Sequence, residues 1–253
     1  MMMNDVAHAA DLDGKSLATG GNSLLALLST DDLALIAPWC TRERLARGTI
    51  MTDAEQTADA LYFIEYGVAS IVRPCPDAET TEIALLGFET FVGAAVAIGD
   101  GRWPYRTFVQ VDRLSAIRLP IDRALAAFRR SSVFEKLLVH AAYTQMVQIA
   151  EAVASVAWQR LDARLARWLL MYRDRMRSDR LDVTHEFMAL MVGVQRTGVT
   201  EALHDLEGAR LISAGRGVVT IRDPAGLRQI AGSGYGVPER EHARLFSSAA
   251  IGR

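Results

Sequence analysis

Two cysteines, Cys40 and Cys75, in 253 residues are too few for a disulfide framework or a four-thiolate metal site. The first fourteen residues contain no Lys or Arg and do contain Asp5, Asp11 and Asp13, so the positive region of a secretory leader is missing. No apolar run approaches the roughly 18–20 residues needed to cross a bilayer. Neither charge sign dominates, with 28 Lys and Arg against 30 Asp and Glu. A soluble, cytoplasmic chain is therefore expected. Apolar residues make up 50% of it and charged residues 23%, which supports a packed core and excludes wholesale disorder. At roughly 150 residues per domain, the length suggests one or two domains.

The near-neutral average hides a split. Residues 1–159 hold 13 Lys and Arg against 19 Asp and Glu, a net −6. Residues 160–222 hold 11 against 8, a net +3, and residues 223–253 hold 4 against 3, a net +1. An acidic front joined to a basic back suits a sensor fused to a polyanion binder.

Residues 1–22 lack periodicity and read as a loose tail. From Asn22 the run NSLLALLSTDDLALIAPW has helical spacing broken at Ser29 and Thr30, with Asp31 and Asp32 placed to suit a helix N-terminus. Between Arg47 and Pro120, short apolar stretches such as Leu61–Ile64, Val68–Val72, Ile83–Leu86, Phe108–Val111 and Leu114–Leu119 alternate with Gly and Pro breaks. That texture predicts a small β-barrel or jelly roll.

A long helix is predicted from Ser132 to about Val156, and it carries two apolar stripes. Phe134, Leu138, Ala141 and Ala152 form one, interrupted by Gln145 and Gln148. Val139, Tyr143, Met146, Ala150, Val153 and Ala157 form the other. One stripe suffices to dock a helix on its own domain, and a second implies another contact, most economically a symmetric homodimer. A helix buried centrally within one domain is the alternative. A further helix over Leu161–Met176 turns Leu165, Trp168, Leu169 and Tyr172 inward, and most of its arginines (Arg160, Arg164, Arg167, Arg173, Arg175, with Arg177 beyond) read as a solvated face.

The most informative stretch is Thr184–Ile212. Thr184 is placed to cap a helix with Glu186 in its first turn, and Phe187, Met188, Met191 and Val192 form its apolar face. Ala189 and, four residues on, Gly193 suit the close approach of two helices, and a second helix from about Gln195 buries Val199, Ala202, Leu203 and Leu206. This is a helix-turn-helix pattern. It faces Arg196, Thr197, Thr200, Glu201 and His204 outward, on the end of the second helix that enters a major groove. Leu211–Ser213 and Val218–Ile221 flank Gly215-Arg216-Gly217 as a hairpin, which reads as a wing with Arg216 at its tip. An ordinary α+β packing unit is the bland alternative.

Enzyme signatures are incomplete or absent. His185-Glu186 opens a His-Glu-x-x-His look-alike, but Ala189 stands where the second zinc ligand belongs. There is no phosphate-cradling Gly loop with Lys, no Gly-x-Ser-x-Gly elbow, no Cys-x-x-Cys pair, and no Cys/His cluster with metal spacing. No catalytic residue or metal ligand is expected.

Over Asn22 to Ile230 the sequence resembles the Crp/Fnr superfamily of bacterial transcription regulators. The resemblance is strongest at Leu165, Trp168-Leu169-Leu170, Thr184–Ala202 and Leu211–Ile221, and weaker at Leu61–Ile64 with Gly67-Val68. It implies an α+β chain: a flexible tail (1–22), a cyclic-nucleotide-binding-like β-roll sensor (23–131), a dimerisation helix (132–158), a winged helix-turn-helix (159–231) and a C-terminal tail (232–253). It also implies double-stranded DNA, a second copy of the chain and RNA polymerase as partners. Arg196 occupies the family's guanine-reading position, while Thr197 and Glu201 stand where well-studied members carry Glu and Arg, so the operator should differ. Thr184, His185 and Arg216 are candidate phosphate contacts. In the implied effector pocket the candidates are Gly93, Ala94, Arg102, Tyr105, Arg106 and Tyr143. The family's cyclic-nucleotide binders use Gly-Glu followed by Arg-Ser or Arg-Thr. Here Ala94 lacks the acceptor, Pro104 falls where the Arg belongs, and Ile149 and Ala150 fall where base-contacting hydroxyls belong. Cyclic AMP is therefore disfavoured as effector, and two isolated cysteines cannot hold the iron–sulfur cluster of oxygen-sensing relatives. A ligand- or protein-binding signalling module that has lost DNA binding is the alternative function.

Overall fold

The computed structural model describes residues 12–74 and 81–247. Cys75 and most of the two chain ends lie outside that range.

The N-terminal segment is packed against the body of the protein. Helix α1 (Gly14–Thr19) starts at Asp13, whose carboxylate accepts from Ser16 N, and it buries Leu17 fully. Asn22 is buried with both amide ends used. Its Nδ2 donates to Ile64 O (2.8 Å) and Thr90 O (2.9 Å), and its Oδ1 accepts from Leu24 N and Leu25 N. The expected loose tail is thus corrected for residues 12–22, because two buried leucines, Leu12 and Leu17, and one four-bond asparagine hold a segment that shows no periodicity. Residues 1–11 lie outside the described range. A 3-10 turn at Leu25–Leu27 and helix α2 (Thr30–Ile36), capped by Ser29, follow the expected break.

Among the described residues, eight strands build the next layer: β1 (Thr41–Ala46), β2 (Ile50–Thr52), β3 (Ala60–Tyr66), β4 (Ala69–Arg73), β5 (Thr81–Leu86), β6 (Phe91–Val92), then, after helix α3 (Ala95–Ile98), β7 (Arg106–Val109) and β8 (Arg113–Pro120). They form two antiparallel sheets, ordered β1-β8-β3-β6 and β2-β7-β4-β5. Residues 60–65 of β3 are all buried, as befits a strand covered on both faces, whereas β1 alternates and keeps its charged side outward. Phe63 stacks on Phe91 with ring centroids 5.9 Å apart, and lies 6.4 Å from Phe134 of the long helix.

Helix α4 (Ile121–Arg130) leads into α5 (Ser132–Trp158). Ser131 caps α5, accepting from Phe134 N at 2.9 Å and donating to Asp32 Oδ1 at 2.5 Å. One stripe of α5 lies on the β-roll, with Phe134, Leu137, Leu138 and Ala141 buried. Gln145 and Gln148, the polar interruptions of that stripe, are buried clamps. Gln148 accepts from Leu85 N (2.6 Å) and donates to Leu85 O (3.0 Å), and Gln145 Nε2 donates to Thr90 Oγ1 and Phe91 O, both at 2.8 Å. The opposite face of α5 is bare: Met146 is 56% exposed, Val153 66% and Trp158 89%.

The C-terminal part comprises α6 (Leu161–Met176), β9 (Arg180–Leu181), α7 (His185–Val192), α8 (Arg196–Gly208), β10 (Ile212–Gly215), β11 (Val218–Ile221), α9 (Pro224–Ala231) and α10 (Val237–Leu245). α6 buries Leu165, Trp168, Leu169 and Tyr172 as expected. Its arginines do not form one solvated face. Arg167 and Arg175 are 7% and 6% exposed, with Arg167 Nε donating to Gly234 O (2.8 Å) and Arg175 Nε to Leu85 O (3.0 Å). The expected C-terminal tail is also corrected up to residue 247. α10 lies on α5, Phe246 is buried, and His242 Nε2 stands 3.0 Å from Glu89 O. Residues 248–253 lie outside the described range. No helix among the described residues is long and apolar enough to cross a membrane.

Candidate nucleic-acid interface

Thr184 Oγ1 accepts from Phe187 N at 3.2 Å and starts α7 as its sequence position implies. Gly193 ends it at φ 69°, in the left-handed region that glycine enters without steric cost. A Cβ there would meet nothing nearer than Thr81 Cγ2 at 3.4 Å, so Gly193 serves the backbone of the turn. The close helix approach expected there occurs instead at Gly198, where a Cβ would stand 3.0 Å from Leu161 Cδ2. Burial of Val199, Ala202, Leu203 and Leu206 leaves Arg196, Thr197, Thr200, Glu201 and His204 exposed. The β10–β11 hairpin forms with Arg216 exposed in its turn, and β9, too short to show a period, pairs with β11 as a third strand.

These elements enclose one concavity of about 870 Å³, lined by Thr184, His185, Glu186, Arg196, Thr200 and Arg216 among others. Five of the seven sequence-derived interface residues thus meet in one groove, and Thr197 and Glu201 are exposed on α8 beside it. Arg196 Nε lies 3.0 Å from Glu186 Oε1. The Thr200 hydroxyl donates to Arg196 O at 3.1 Å, and His185 Nδ1 lies within hydrogen-bond distance of the same hydroxyl, also at 3.1 Å. The Glu186 carboxyl is held below the usual carboxylate range by its own backbone N–H at the helix start, and less strongly by Arg196. Sequence reasoning identifies Glu186 as a first-turn acid and as part of an incomplete zinc motif, not as a partner of Arg196. Its pairing with Arg196 depends on the angle between two helices, which local spacing does not carry.

The effector-pocket candidates are not brought together. Gly93 and Ala94 line a cavity of about 20 Å³ with Ala95, Trp103, Thr107 and Gln145. Arg102 turns away to Glu55 (Nη2–Oε2 3.2 Å), and Arg106 pairs with Asp53 (Nε–Oδ1 2.8 Å), whose carboxyl it holds low. Tyr105 packs edge-on against Trp103 at 5.3 Å. Tyr143 sits on the outer face of α5, where its hydroxyl donates to Glu241 Oε1 at 3.3 Å. Among the described residues no group of three or more His, Cys, Asp or Glu is arranged to hold a metal ion.

Residues 163–230 match the family model of the Crp-like helix-turn-helix domain. The chain is 24% identical over 184 residues to the global nitrogen regulator of Synechocystis sp., covering 68% of this chain and 80% of the relative. It is 24% identical over 211 residues to the HTH-type transcriptional regulator Cmr of Mycobacterium tuberculosis, covering 79% and 80%. Its fold is similar to that of a CRP-family transcriptional regulator from Thermus thermophilus, TTHB099, with a TM-score of 0.64 at 23% identity over 76% of this chain and 97% of that one. Residues 163–230 are thus a Crp-like helix-turn-helix domain, and the chain shares the fold of solved Crp/Fnr regulators, with a β-roll, a long helix and a winged helix-turn-helix.

Proposed function

We propose that the protein binds DNA as a symmetric homodimer, each subunit inserting α8 into a major groove of a two-half-site operator. The observation that carries this reading is the single groove shared by Thr184, His185, Arg196, Thr200 and Arg216. It sets a base-reading guanidinium beside hydroxyl, imidazole and wing-tip groups fit for phosphate. The bare apolar face of α5, with Tyr143, Met146, Val153 and Val156, supplies the dimer contact. Two-fold pairing sets the half-sites about 34 Å apart, one helical turn of duplex. The cavity beside Gly93 and Ala94 has room for about one water and no unpaired guanidinium, which supports an effector other than cyclic AMP, and no iron–sulfur cluster is invoked. Selection of binding sites from random duplexes with the purified protein tests the proposal. A palindromic consensus with half-site centres about ten base pairs apart is expected, and enrichment of no sequence would refute it.

A further inference from the structure

A second cavity, of about 150 Å³, lies where the β-roll, α5, α6 and α10 meet. Leu86 and Gln145 form its common wall with the small cavity beside Gly93, so the two lie on opposite sides of one partition. Its floor is Arg175, which is almost fully buried and whose Nε stands 2.8 Å from Glu89 Oε1. Gly87 makes this possible, since a Cβ there would lie 2.8 Å from Arg175 Cβ. α10 closes the cavity with Pro238, Glu239 and His242.

The polar groups around the cavity are unbalanced. Glu89 Oε2 and both carboxylate oxygens of Glu239 are buried without a hydrogen-bond partner. Glu239 Oε1 stays 3.9 Å from Arg175 Nη1, beyond hydrogen-bond reach. His242 already directs Nε2 to Glu89 O, and the third carboxylate, Asp174, accepts from the Tyr235 hydroxyl. Asp174 is also paired with Arg173 (Nη1–Oδ1 3.5 Å), so the acceptors left over are those of Glu89 and Glu239, beside Leu86, Pro238 and Phe88, on whose ring Arg177 Cζ rests at 3.6 Å from the centroid. Buried carboxylate oxygens without donors are costly, so the site calls for a guest that brings donors and positive charge. The volume matches cavities that hold one benzene-sized molecule.

We propose that this cavity is a binding site for a small organic ammonium ion, its NH3+ group seated between Glu89 and Glu239 and its apolar body against Phe88. The site spans the β-roll, the long helix and the first helix of the DNA-binding part, so occupancy would fix their relative placement. Only this regulatory consequence rests on the DNA-binding reading.

The test uses the full chain without DNA and three probes of similar size: n-butylammonium chloride, sodium butyrate and 1-butanol, each against equal sodium chloride. Ligand-observed NMR and calorimetry should show saturable millimolar binding of n-butylammonium alone, weakened at least tenfold in Glu239→Gln with an unchanged melting profile. Should that variant fold poorly, Glu89→Gln carries the same expectation. No saturable binding, binding undiminished in the folded variant, or equal binding of butyrate would overturn the site. A protein that takes the cation but enriches no DNA sequence would keep the site and sink the DNA-binding reading.

Discussion

Arg196 and Glu186 form an ion pair across the two helices of the helix-turn-helix, with Nε 3.0 Å from Oε1 and both side chains about two-thirds exposed. So exposed a pair contributes little to stability. Its importance is positional, because the guanidinium that would read guanine is held over the groove and must change partner to do so. Arg196→Ala should cost about 1–3 kcal/mol of discrimination at one base pair per half-site. Glu186→Gln should strengthen binding to all duplexes, since it removes a negative charge from the groove proposed to face phosphate, and it should leave the consensus unchanged. Competition titrations against consensus and scrambled duplexes separate the two effects; an equal loss on both duplexes in Arg196→Ala would contradict a base-reading role.

Arg216 occupies the turn between β10 and β11, exposed and lining the same groove from the other side. A wing-tip cation that meets phosphate lends affinity without sequence preference. Arg216→Ala should weaken every duplex alike and reduce the slope of log affinity against log salt by about one per subunit. Titrations over about 50 to 200 mM salt check this; a change confined to the consensus duplex would assign Arg216 to base reading instead.

The outer stripe of α5 places Tyr143, Met146, Val153 and Val156 in solvent, and Met146 and Val153 are each more than half exposed. Apolar side chains spaced this way along 27 residues are stabilised when a second helix covers them. Replacing Met146 and Val153 together by Asp should convert the proposed dimer to a folded monomer, seen by sedimentation at micromolar concentration, and weaken operator binding by at least a hundredfold. Unaltered sedimentation of a wild-type monomer would sink the prediction at its first step.

Legibility follows the length and continuity of each signal. The run at Leu61–Ile64 is readable because a strand covered on both faces needs an unbroken apolar stretch, and β3 is that strand. β1 is not, because Thr-Arg-Glu-Arg-Leu-Ala alternates exposed Arg42 and Arg44 with a half-buried face of Thr41, Glu43 and Leu45 that holds only one aliphatic residue, and it pairs only with β8. β6 and β9 are two residues long, below any periodicity. Both faces of α5 are visible as spacing, yet Gln145 and Gln148 look like flaws in it until their amides are seen to pair with Thr90, Phe91 and Leu85. In the helix-turn-helix, side-chain directions follow from the burial of Val199 and Leu203, whereas the Glu186 pair and the Arg175 cluster join segments distant in the chain or set at an angle. Buried arginines in particular carry no mark in the sequence, because their partners are carbonyls and carboxylates supplied by other elements.

Glu82 supplies a pH dependence at the junction between the β-roll and α6. Its carboxylate accepts from Ser70 Oγ at 2.7 Å and from Trp168 Nε1 at 2.8 Å, and burial still pushes its pKa up from 4.5 to about 7. Arg175 and Arg167 act in the opposite sense but more weakly. A pKa raised on folding means that the folded chain holds the proton more tightly. The stability this lends is complete below about pH 4.5 and is lost as pH rises through about 7. The slope for this one group is at most about 1.4 kcal/mol per pH unit. His140 and His242, both lowered by burial, slope the other way and are best removed by difference. Urea unfolding of the wild type and Glu82→Gln at pH 5, 6, 7 and 8 provides that difference. The wild type's advantage over the variant should shrink as pH rises from 5 to about 7 and level off towards 8; a constant difference would mean that Glu82 keeps an ordinary carboxyl pKa in the folded chain.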